Sequence, residues 1–118
     1  MINAGIVGLG WWGKTLVEAV SGQSDQIRFV AGATEDESDD TRAFAAQHEF
    51  ELLADLDSML ANPNVDAVIL ATPNSMHVDQ VVATAAVGKH AFCEKPLALT
   101  KAGAERAVEA TEKAGVTL

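Results

Sequence analysis

The sequence predicts an α/β fold: a doubly wound parallel sheet of about six strands with helices on both faces. Three observations predict it. Short apolar runs alternate with helix-length segments along the 118 residues. No hairpin signal separates neighbouring runs. The strongest run, "DAVILAT" (66–72), is continuously apolar, as a strand covered on both faces must be. Strands of this kind joined by helices call for parallel pairing and right-handed crossovers.

Each element has its own warrant. "AGIVGLG" (4–10) is a short apolar run ending in glycines, and "KTLVEAV" (14–20) follows with Leu16, Val17 and Val20 on one helical face. "IRFVAGAT" (27–34) reads as the second strand. Residues 38–48 form a helix with Phe44, Ala45 and His48 on one side, and "ELL" (51–53) is a short edge strand. "DLDSMLA" (55–61) groups Leu56, Met59 and Leu60 and is stopped by Asn62-Pro63. After "DAVILAT", residues 75–87 form a helix ending at Gly88, a natural residue for a helix C-terminus. "HAFCE" (90–94) is the next strand, and Thr100 caps a helix at 101–114 closed by Gly115. "VTL" (116–118) starts like a sixth strand. The expectation is one dinucleotide-binding domain over 1–118, the first domain of a longer enzyme.

Composition bounds the function. With 48% hydrophobic residues the chain is globular, and no apolar run approaches the ~18 residues of a membrane span. "MINAGIVG" has neither the basic start nor the apolar length of a signal peptide, so the chain reads as cytoplasmic. A single cysteine, Cys93, excludes an intrachain disulfide and a CxxC metal site, and the three histidines match no ligand spacing, so no metal is expected. A net charge of −9 argues against nucleic acid as a partner. Much of it lies in "TEDESDD" (34–40), which as a whole reads as a solvated face.

Residues 8–13, "GLGWWG", carry the first motif. Gly8, Gly10 and Gly13 make GxGxxG between a strand and a helix. The first glycine permits the tight turn, the second lets a pyrophosphate approach the backbone, and the third lets helix and strand pack closely. The helix N-terminus then offers free N–H groups and partial positive charge. Glu35 follows Gly13 by about twenty positions, where a carboxylate accepts hydrogen bonds from the adenosine ribose and repels a 2′-phosphate. Thr34 competes for that place, and a hydroxyl there tolerates the phosphate. The nearest arginine, Arg42, lies a turn or two into the next helix. NAD is therefore expected, with NADP as the alternative.

Two further strand ends are chemically loaded. "ATPNSMH" (71–77) offers Thr72 and Asn74 as hydrogen-bonding groups beside Pro73, ahead of a helix N-terminus. "FCEKP" (92–96) places Lys95 before a proline, which favours extended geometry and admits a cis peptide. The bland reading of Lys95 is a surface lysine paired with Glu94.

The three segments "GLGWWG", "VDAVILATPNSMH" and "GKHAFCEKPLA" together resemble the N-terminal domain of the Gfo/Idh/MocA oxidoreductases, over essentially the whole chain. The resemblance implies that Gly8, Leu9, Gly10, Trp11, Trp12 and Gly13 hold the pyrophosphate. Glu35 falls where the family has its ribose-binding acid, commonly an aspartate. Ala71, Thr72, Pro73, Asn74 and His77 would line the cofactor from the fourth strand, and Glu94 and Lys95 would sit beside the nicotinamide. Lys95 is the implied catalytic residue, touching the substrate hydroxyl that becomes a carbonyl. A fixed ammonium suits that place, because it stabilises the developing oxyanion. His90 and Cys93 read as structural, and His48 as helix surface or packing.

The resemblance also implies a small, sugar-like substrate held by a C-terminal domain that brings further acid–base groups, typically an aspartate and a histidine. The chain alone is then expected to bind dinucleotide weakly without turnover, and to self-associate as a homo-oligomer through uncovered apolar surface. The alternative from another class is a non-catalytic dinucleotide sensor, which has no use for Lys95. Of the two tryptophans, Trp12 is expected to pack inward or along the helix, and Trp11 to project towards the mouth of the cleft, unusually exposed.

Overall fold

A computed structural model describes residues 1–118. Five strands, β1 (Ile2–Val7), β2 (Ile27–Ala33), β3 (Glu51–Leu53), β4 (Ala67–Leu70) and β5 (His90–Cys93), form one sheet in the order β3-β2-β1-β4-β5. Every pairing is parallel. Five helices alternate with them: α1 (Trp11–Val20), α2 (Asp39–Gln47), α3 (Leu56–Ala61), α4 (His77–Ala86) and α5 (Lys101–Ala114). The doubly wound parallel fold is as the sequence predicts. Residues 116–118 take the place of the anticipated sixth strand without forming a regular one. There the Ala91 N–H donates to the Thr117 carbonyl at 2.9 Å, and the Thr117 N–H donates to His90 Nδ1 at 3.0 Å.

The strand alternation of β1 divides the core in two. Ala4 and Ile6 join Val17 of α1 and Ala45 of α2, with Phe29 and Phe50, on one face. Val7 joins Met59 of α3, Val81 of α4 and Ala107 of α5 on the other. Val17, Met59, Val68 and Val81 are wholly inaccessible to solvent, each contributing roughly 1.5–3 kcal/mol of burial. Helix ends follow local chemistry. Ser38, Asp55 and Thr100 cap α2, α3 and α5 by accepting the N–H of Thr41, Ser58 and Gly103. Gly115, at φ +68°, closes α5 in the left-handed conformation.

The strand order also places the site. From β1 the chain winds outward through β2 and β3, then crosses back to β4 and winds the other way to β5. A crevice opens at the carboxyl ends of β1 and β4, where the winding reverses and where ligands of such sheets bind.

Candidate nucleotide site

That crevice is a cleft of about 610 Å³ floored by the β1–α1 turn and walled by the ends of β2, β3 and β4. The three glycines of the turn differ in what they do. Gly8 has φ +97°, and a Cβ there would strike the Ala71 carbonyl group of the neighbouring β4 end. A Cβ on Gly13 would run into the Gly8 carbonyl oxygen. Both are fixed by the fold itself. Gly10 has no protein atom within 4 Å of where its Cβ would stand, so the space beside it is open towards a ligand. The turn is pinned by the Gly8 N–H to the Ala33 carbonyl and the Ala71 N–H to the Val7 carbonyl, each at 2.9 Å.

The N-terminus of α1 differs from those of α2, α3 and α5. Its N-cap is Gly10, and no side chain accepts from its first amides. Free N–H groups and the dipole at such a helix end favour a negatively charged ligand. The opposite wall carries Glu35, Asp55 and Asp57. Hydrogen bonds from the Ser58 N–H and hydroxyl hold the Asp55 carboxyl below its ordinary value, outweighing a small opposing effect of burial. The cleft is thus polarised, with phosphate attracted to α1 and hydroxyl donors to the carboxylates.

Glu35 lines this wall with its carboxylate in no ion pair. Thr34 Oγ1 accepts the Asp36 N–H at 3.4 Å, and Arg42 is paired with Asp39 at 3.0 Å. The cleft brings Gly8, Leu9, Gly10, Glu35, Ala71, Thr72 and Pro73 together. Trp11, Trp12, Gly13, Asn74, Glu94 and Lys95 lie outside its wall. Trp11 is 80% exposed, as anticipated, with its ring 5.5 Å from that of Trp12. Trp12 departs from expectation: it is 44% exposed, because Gly13 and Val17 take the buried face of α1.

His77 is the main correction. It does not line the cofactor cleft but is fully buried. A short 3-10 turn at Asn74–Met76 precedes α4, and the His77 ring lies between two backbone carbonyls, Thr72 O at 2.9 Å from Nε2 and Pro96 O at 2.8 Å from Nδ1. Gln80, one turn further on, lines the cleft and accepts from the Thr72 hydroxyl. Sequence reasoning missed Gln80, Asp55 and Asp57. The signal for Gln80 was its three-residue spacing from His77 on one helix face, and for Asp55 its place before an apolar helical run.

The Glu94 N–H donates to the Leu70 carbonyl at 3.0 Å, and the Lys95-Pro96 bond is cis. The Lys95 ammonium is exposed and joins no ion pair, so it is not the structural partner of Glu94. Burial, with the Glu94 charge adding to it, pushes the half-buried Cys93 thiol up to about 11. The reactive thiolate is thereby disfavoured.

The family model for the Gfo/Idh/MocA oxidoreductases, NAD-binding Rossmann fold, matches residues 2–118. The chain belongs to this family. It is 33% identical over 99% of its length to 2,7-anhydro-N-acetylneuraminate hydratase of Escherichia coli K12, covering 30% of that protein. It is 33% identical to myo-inositol 2-dehydrogenase of Thermotoga maritima, over 99% of this chain and 35% of the relative. Among solved structures, the WlbA dehydrogenase of Bordetella pertussis, in complex with NADH and UDP-GlcNAcA, superposes with a TM-score of 0.86 at 31% identity, over 99% of this chain and 34% of that one. The chain therefore spans about a third of the length of these relatives and corresponds to the NAD-binding domain of the Gfo/Idh/MocA fold.

Proposed function

We propose that this domain holds NAD across the β1–β4 crevice and serves, in the full-length protein, a dehydrogenase acting on a sugar, polyol or related carbinol. The observation that carries the reading is the contrast between Gly10 and its neighbours. The fold itself requires Gly8 and Gly13, whereas no protein atom fills the space beside Gly10, which leaves room there for a ligand in front of an uncapped helix. The pyrophosphate fits there against the amides of residues 11–13, and the adenosine ribose fits against Glu35. Thr72 and Pro73 bound the cleft on the β4 side.

NAD, when bound, supplies the ring that exchanges hydride with the carbinol carbon. Lys95 is read as the catalytic residue: its free ammonium orients the substrate hydroxyl and stabilises negative charge on that oxygen. Relatives named for inositol and anhydro-sugar chemistry support a polyhydroxylated substrate. The unpaired Lys95 favours the enzyme over a non-catalytic sensor. A cytoplasmic setting accompanies the reading, since the one thiol needs no oxidising compartment.

The direct test is titration with NADH and NADPH. Trp11 and Trp12 are the only tryptophans and both stand at the phosphate turn, so their emission should be quenched as dinucleotide binds. Saturable quenching, tighter for NADH, is expected; no quenching by either cofactor up to millimolar concentration would overturn the reading. Self-association is read from apolar side chains left uncovered on the β5 side of the sheet, where Phe92 is 56% exposed. Light scattering showing a clean monomer at high concentration would remove that part.

A further inference from the structure

The His77 ring meets two groups of the same kind. Nδ1 lies 2.8 Å from the Pro96 carbonyl oxygen and Nε2 lies 2.9 Å from the Thr72 carbonyl oxygen. A carbonyl oxygen only accepts. A neutral imidazole has one N–H and one bare nitrogen, so it donates to one carbonyl and turns a lone pair on the other. Rotating the ring by half a turn exchanges nitrogens for carbons and loses both contacts. A ring with hydrogen on each nitrogen would donate to both carbonyls. The side chain is fully buried, so leaving either ring nitrogen without a hydrogen bond would be costly. With both nitrogens protonated, two N–H groups meet two carbonyls.

The two carbonyls belong to different walls of the site. Thr72 follows β4, lines the cleft and is held from its hydroxyl by Gln80 of α4. Pro96 immediately follows Lys95. On its other side Lys95 is tethered by the Glu94 N–H, which donates to the Leu70 carbonyl at 3.0 Å. The Lys95 side chain itself has no hydrogen-bonding or ionic partner. The backbone that carries Lys95 is thus held between the β4 ladder before it and His77 after it.

We infer that His77 is a positioning residue: a buried imidazole, protonated on both nitrogens, that bridges the Thr72 and Pro96 carbonyls and fixes the Lys95 turn relative to the nucleotide cleft. The consequence for Lys95 rests on the function proposed above. The donor pattern and the bridge do not.

The test is nuclear magnetic resonance on this chain without ligand. In a long-range 1H–15N correlation spectrum near pH 7, both His77 ring nitrogens should show the signature of protonated nitrogen. One bare nitrogen would overturn the inference. Backbone order parameters at Lys95 and Leu97 provide the second readout. They should fall from the rigid range of about 0.85 towards about 0.6 in His77→Phe, which keeps a ring of similar shape but has no donor. His77→Gln, which keeps one donor, should recover part of the loss. Order parameters in His77→Phe equal to those of the parent would reduce His77 to packing. Should His77→Phe fail to fold, the wild-type spectrum still decides. Dinucleotide binding is measured separately, so its absence would overturn the proposed function and leave the bridge standing.

Discussion

The Gly8 carbonyl oxygen occupies the space that a Cβ on Gly13 would need. Helix α1 can therefore sit this close to the β1 turn only while position 13 is bare. Gly13→Ala must push the helix off the turn, an overpacking against backbone that costs about 1–3 kcal/mol. The contrast is Gly10→Ser. A serine at this N-cap has open space around it and would accept one of the free amides of α1. Thermal melts should show Gly13→Ala clearly destabilised and Gly10→Ser at least as stable as the parent. NADH titration should show Gly10→Ser weakened by about tenfold or more, since the hydroxyl takes the amide that the phosphate needs. A stable Gly10→Ser with unchanged affinity would mean that the turn does not hold a phosphate.

On the function proposed above, Glu35 is the residue that would set the cofactor. Its carboxylate stands unpaired on the cleft wall, and the nearest arginine, Arg42, is engaged by Asp39 at 3.0 Å. A 2′-phosphate brought here meets negative charge without compensation. At a few ångströms in a partly solvated cleft, that repulsion amounts to about 1–2 kcal/mol after discounting for solvent. Glu35→Ser should thus bring the NADPH dissociation constant about tenfold closer to that of NADH. A parent protein that already prefers NADPH would assign the ribose contact to Thr34 instead.

Cys93 illustrates how the fold silences a reactive group. Burial disfavours its thiolate, and the neighbouring Glu94 charge adds to the effect, raising the thiol from 9.0 to about 11. Near pH 8 its alkylation should run about 100-fold slower than that of a free thiol. The sign of the linked stability follows. The folded-state value is raised, so the contribution is complete below pH 9.0 and is lost as pH rises through about 11. Cys93→Ala should flatten the stability profile over that window. Rapid labelling of the native protein at pH 8 would contradict this account.

Much of this was legible in the chain. The continuous apolar run at 66–72 and the amphipathic helices declare the parallel sheet, and the glycine spacing declares the tight strand-to-helix turn. What stayed hidden depends on which strands become neighbours. Asp55 and Asp57 enter the cleft only because β3 pairs with β2, at the same end of the sheet as the glycine turn. His77 looks like a cofactor residue in sequence because it follows the β4 motif closely. Its true partner, Pro96, lies nineteen positions away and meets it only when β5 pairs with β4. Trp12 was misplaced for a local reason. The helix turns its smallest residue inward, and Trp12 is left on the flank.

Lys95 offers the sharpest test of catalysis. Its ammonium is exposed and unpaired, and its backbone runs between the β4 ladder and the residue bonded to His77. If it stabilises charge that develops on the substrate oxygen, its contribution is larger in the transition state than in the bound substrate. In the full-length protein, Lys95→Ala should then lower kcat by about 100-fold or more, with KM changed far less. Lys95→Arg keeps the charge but replaces a compact ammonium with a wide planar fork, so it should restore substrate binding without restoring the rate. A raised KM with kcat intact would make Lys95 a binding residue. The acid–base chemistry would then have to come entirely from groups outside residues 1–118.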